Sequence, residues 1–93
     1  MNVKEAVAHA KAHILDLFAD ENLANVGLEE VELEAQTGEW FVTIGFSRPW
    51  DEPRNALASA LSNPNALRRA YKVLRISDNT GHVLSVKNRD TPN

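Results

Sequence analysis

Gly38-Glu39-Trp40-Phe41-Val42-Thr43-Ile44-Gly45-Phe46-Ser47-Arg48-Pro49-Trp50 has the pattern of a central β-strand. Trp40, Val42, Ile44 and Phe46 alternate with Phe41, Thr43, Gly45 and Ser47, which is the period of two that a β-strand imposes. Aromatic and β-branched residues of this kind fit a pleated, half-buried surface. The stretch carries no nucleophile with a base, no phosphate loop and no ligand cluster, so it reads as framework.

Before it, Leu28 to Ala35 sets Val31, Leu33 and Ala35 on one face and Glu30, Glu32 and Glu34 on the other. A tight turn at Gln36-Thr37-Gly38-Glu39 places Ala35 opposite Trp40, Leu33 opposite Val42 and Val31 opposite Ile44. Every large apolar residue of the two strands except Phe41 then shares a face, as a hairpin requires. Beyond the strand, Arg48-Pro49-Trp50-Asp51-Glu52-Pro53 breaks the ladder, because proline cannot donate to it. Residues 53–61 read as either a short helix or a loop, ended by Ser62-Asn63-Pro64.

A second hairpin spans Ala70 to Asp78 and His82 to Arg89, around Asp78-Asn79-Thr80-Gly81 with Gly81 at positive φ. Here Ile76 opposes Leu84 and Leu74 opposes Val86, leaving Tyr71, Val73, Arg75, Val83, Ser85, Lys87 and Arg89 on the other face. At the N-terminus, Asn2 and Glu5 have capping-box spacing, and Val3, Val7, Ala10, Ile14 and Leu17 follow at helical intervals, predicting an amphipathic helix over residues 3–19. The whole is a single α+β domain, residues 1–93, with the N-terminal helix packed across a four-stranded antiparallel sheet in the order α-β-β-(short helix or loop)-β-β. Val3, Val7, Ile14, Leu17 and Phe18 should meet Leu33, Trp40, Val42, Ile44, Leu74, Ile76, Leu84 and Val86 in one core.

At 93 residues the chain has room for one core and not for a deep enclosed site. Ten Lys and Arg against 13 Asp and Glu give a mildly acidic protein, which disfavours nucleic acid as a partner. The absence of cysteine removes disulfides, thiolate nucleophiles and cysteine zinc sites, and is compatible with the cytoplasm. No apolar run approaches the length of a membrane span or a secretory leader, so a soluble protein without a membrane partner is expected.

Three groups of residues invite a functional reading. His9 and His13, one helical turn apart, could approach a divalent metal together with Asp16 or Glu5, but no motif fixes a third ligand and surface histidines are the plainer reading. Glu29, Glu30, Glu32 and Glu34 read as a solvated strand face that resists unwanted edge pairing. Arg48, Trp50 and Arg54 form a proline-bounded aromatic and cationic group of the type that interface hot spots favour, with the alternative that Trp50 folds back onto the core. Arg68, Arg69, Lys72, Arg75, Lys87 and Arg89 make a basic side on which Tyr71 is the lone aromatic, a poor nucleic-acid platform.

Val26-Gly27-Leu28-Glu29-Glu30-Val31, the strand from Gly38 to Asp51 and Tyr71-Lys72-Val73 together resemble a group of small bacterial proteins to which no activity is assigned, over nearly the whole chain. In plan the chain is also similar to PepSY and cystatin-like domains, where a helix crosses an antiparallel sheet. That likeness implies a regulator or inhibitor of peptidases and carries over no functional residue. The expectation is therefore an interaction module, not an enzyme, with no cofactor. Its surface would be the helix-free sheet face at Phe41, Tyr71, Val73, Arg75 and Val83, extended by Arg48 and Trp50, for a protein partner or a second copy as a homodimer.

Overall fold

The computed structural model describes residues 1–49 and 69–89. The 53–61 segment, Trp50, Arg54, Arg68 and the tail after Arg89 lie outside the described residues. Among those described, one α-helix, α1 (Val3–Leu17), packs on a four-stranded antiparallel sheet of β1 (Ala24–Glu34), β2 (Glu39–Ser47), β3 (Ala70–Ser77) and β4 (Val83–Asn88), in spatial order β1-β2-β3-β4. The fold is α+β, as the alternation of β2 implies.

The capping box closes the N-terminus of α1: the Glu5 backbone N–H donates to Asn2 Oδ1 at 2.9 Å, and the Asn2 N–H donates to Glu5 Oε1 at 3.0 Å. The helix ends two residues earlier than its pattern suggests. Phe18 caps it, a turn of 3-10 helix covers Ala19–Glu21, and Asn22 takes the left-handed conformation at φ 53° to send the chain into β1.

Ala6, Ala10 and Ile14 are wholly buried against Trp40, Val42, Ile44, Phe46, Leu74 and Ile76. Two alanines at the centre of the contact let the helix lie close over β2. Phe18 adds a tilted ring contact with Phe46, centroids 5.8 Å apart. Trp40 closes the other end, donating its indole N–H to Asp78 Oδ1 at 2.8 Å, an oxygen that also accepts from the Met1 amine at 3.0 Å. The indole hydrogen bond first, then the hydrogen bond and charge of the amine, hold the Asp78 carboxyl below its ordinary pKa.

Register differs from expectation in two places. In the first hairpin Leu33 pairs with Trp40 and Val31 with Val42, two residues from the anticipated alignment, because the turn occupies Ala35 to Gly38. A slip of two preserves faces, so the core assignment survives it. Leu28 still faces the helix because a bulge at Glu29 separates the pairs Leu28–Ile44 and Glu30–Thr43. In the second hairpin the slip is of one residue and does change faces. The Ser77 N–H donates to His82 O at 3.0 Å, which pairs Ile76 with Val83, whereas farther along Leu74 pairs with Val86. Leu84 is the extra residue that reconciles these registers, so Val83 packs on the core and Leu84 stays 46% exposed. Gly81, at φ 74°, makes the turn as anticipated.

Four residues assigned to the core are thus largely outside it: Val3, Leu17, Leu33 and Leu84 each keep about half their surface, 45 to 52%. Val3 and Leu17 are the first and last residues of α1, and Leu33 is near the end of β1.

Candidate functional site

On the helix-free face, β2 and β3 set Phe41 beside Arg75, Thr43 beside Val73 and Gly45 beside Tyr71. Phe41, Tyr71, Val73 and Arg75 are therefore brought together as expected, and all four are half-buried. Val83 is not among them, having turned to the core. Arg48 lies at the end of β2, with its guanidinium 5.8 Å from the Phe46 ring centroid and 3.6 Å from Glu21.

Charge on this face is paired across the strands. Arg69 Nη2 lies 3.4 Å from Glu29 Oε1 and donates to Asn25 O at 3.0 Å. Arg89 Nη2 lies 3.3 Å from Glu30 Oε2, and Arg75 Nε lies 3.6 Å from Glu39 Oε2. Two features of the backbone make room for the first pair. The bulge turns Glu29 onto this face, and Gly45 leaves the space beneath it open, since a Cβ there would meet Glu29 Oε1 at 2.7 Å and Arg69 Nη2 at 2.9 Å. Three glutamates of the first hairpin thus meet Arg69, Arg75 and Arg89 across the sheet.

The helix side presents a different surface. Between α1 and β1 lies an open trough of about 420 Å³, lined by Val3, Lys4, Val7, Ala8, Lys11 and Leu28. Val3, Val7 and Lys11 follow one i+4 row of the helix, which exposed Leu15 continues. Leu28 forms the β1 wall and is 43% exposed. Lys4 and Lys11 stand seven residues apart along this flank, and among the described residues neither has a carboxylate partner.

His9 and His13 do not form a metal site with Asp16: among the described residues no group of three His, Cys, Asp or Glu side chains could hold a metal ion. The His9 ring rests instead against the β3–β4 turn, where a Cβ on Gly81 would lie 3.3 Å from its Cε1. No helix of the described residues is long and apolar enough to cross a membrane. No family model, curated protein or solved structure matches the chain.

The trough was hidden in the sequence because Val3 and Val7 have the spacing of core residues, and because strict alternation with Val31 and Leu33 puts Leu28 on the opposite face until the bulge turns it. The one signal was the interruption of the helical apolar pattern by Lys4, Ala8 and Lys11 on a single flank.

Proposed function

We propose that this chain is a small protein-interaction module, not an enzyme, that acts in the cytoplasm and holds a segment of its partner in the trough between α1 and β1. One observation carries the reading: Val3 and Leu28, on facing sides of a helix and a strand, keep 45% and 43% of their surface exposed around that volume, while neighbouring Ala6, Ala10 and Ile14 are wholly buried. Apolar surface left open is worth roughly 25 cal/mol per Å² to whatever covers it. Grooves of this kind, walled by secondary structure and open along their length, accept peptide segments.

A second reading keeps the partner on the helix-free face, at Phe41, Tyr71 and Val73, and their partial exposure favours it. The cross-strand ion pairs weigh against it, because charges satisfied internally are not available to orient a partner. The PepSY-like plan fits either surface and points to neither.

Photo-crosslinking in the cell of origin separates the two. Benzoylphenylalanine at position 8, within the trough, is expected to capture a discrete protein, whereas the same residue at position 37, on the exposed β1–β2 turn, captures none. Capture from position 73 with none from position 8 would transfer the function to the helix-free face.

A further inference from the structure

We infer that the trough recognises an acidic amphipathic helix of the partner protein, one with two carboxylates about two turns apart and apolar residues between them. The inference rests on the trough being the binding surface and goes further in naming what occupies it.

Charge supplies the first reason. Of the eight described Lys and Arg residues, Arg48, Arg69, Arg75 and Arg89 face glutamates, and Lys72 bonds Asn88 and lies 5.6 Å from the Phe18 ring centroid. Lys4, Lys11 and Lys87 remain without such partners among the described residues, and two of these three line the trough. In a protein with an excess of acidic residues, cations left over beside open apolar surface select for an anion with an apolar body.

Spacing supplies the second. Seven helical residues put Lys4 and Lys11 about 10 Å apart along the axis. A partner helix lying along α1 presents its own i and i+7 positions at that same separation, with i+3 and i+4 facing Val7, Ala8 and Leu28 between them. A fatty acid has one carboxylate and leaves one lysine unanswered. A second copy of this chain fits worse: a two-fold packing centred between Val7 and Ala8 sets Lys4 of each copy against Lys11 of the other, twice bringing like charges together.

The test uses the full chain and two fluorescein-labelled helical peptides, each with leucines at i+3 and i+4, one with glutamates at i and i+7 and the other with lysines there. Anisotropy is expected to show saturable binding of the glutamate peptide, with amide shifts in a nitrogen-15 spectrum confined to residues of the trough. Lys4→Glu/Lys11→Glu should weaken that peptide by at least about tenfold and bind the lysine peptide instead, with an unchanged circular dichroism spectrum. Ala8→Gln, which fills the trough without adding charge, should weaken whichever peptide is bound. If Ala8→Gln abolishes binding but the charge reversal leaves both peptides unaffected, the trough is the binding surface and the acidic partner is wrong. If the glutamate peptide binds with shifts at Phe41, Tyr71 and Val73, or not at all, the inference fails. Displacement of the peptide by decanoate at a lower concentration than by unlabelled peptide would replace the helix with a small amphipathic acid.

Discussion

On the helix-free face Arg69, Arg75 and Arg89 each reach a glutamate, whereas on the helix side Lys4 and Lys11 reach none among the described residues. The same contrast holds for apolar residues, in reverse. The helix side contains the buried apolar core of the described residues and yet leaves Val3 of α1 and Leu28 and Leu33 of β1 about half-open. The helix-free face spreads partial burial over Phe41, Tyr71 and Val73. On one face three arginines are paired within the chain, and on the other apolar surface stays open between α1 and β1. Among the described residues one 15-residue helix lies on the four-stranded sheet, and apolar surface left open beside it is where a partner has surface to gain.

The contrast is most exposed to failure in the core. Phe46→Ala should cost about 3 to 5 kcal/mol in urea unfolding, and Phe41→Ala on the opposite face no more than about 2. Equal losses would mean that the two faces are buried alike.

A narrower test concerns the second hairpin. Val83→Asp places an unpaired carboxylate against the core and should cost at least about 2 kcal/mol, whereas Leu84→Asp should change stability by less than about 0.5. The reverse ranking would restore Leu84 to the core and Val83 to the helix-free face.

The ion pairs should be smaller still. Arg69→Ala combined with Arg89→Ala is expected to lose about 1 kcal/mol at low ionic strength and little in 1 M salt, by the usual scale of exposed pairs and their screening. Lys4→Ala combined with Lys11→Ala should leave stability within about 0.5 kcal/mol under either condition. A destabilised lysine pair would mean that those ammonium groups have partners and are not held for a ligand.

Acid provides the last contrast. Because the folded state lowers the pKa of Asp78, the stabilisation from its indole and amine contacts is complete above the ordinary carboxylate range, and is lost as pH falls through the folded value. Asp78→Asn should flatten that part of the acid limb in a series of urea melts. Arg89→Ala, acting on the helix-free face, should leave the Asp78 contribution in place.

Much of this was legible in the chain. Periodicity identified the helix and all four strands, and Asn2 with Glu5 set the helix start, because these signals are local. Gly81 was legible for the same reason. The bulges were not: the three-residue spacing from Leu28 to Val31, and from Val83 to Val86, asks for one extra residue, but which residue is extra depends on the partner strand and the turn. Asn25, in the left-handed region at φ 56°, adds a further irregularity to β1. The Trp40–Asp78 hydrogen bond joins residues 38 apart and has no sequence signature. The ion pairs had half of one, since the acidic and basic hairpin faces were plain while their contact across the sheet was not. The trough had least, as it depends on where α1 lies over the sheet.

The most direct test of the open apolar surface on the helix side is cosolvent mapping by NMR, recording nuclear Overhauser effects from dilute 2-propanol to the methyl and aromatic protons of the protein. The methyl groups of Val3, Val7 and Leu28 should receive the strongest transfer, and Phe41, Tyr71 and Val73 little. Transfer concentrated on Phe41, Tyr71 and Val73, with the trough silent, would contradict the assignment of the open surface to the helix side.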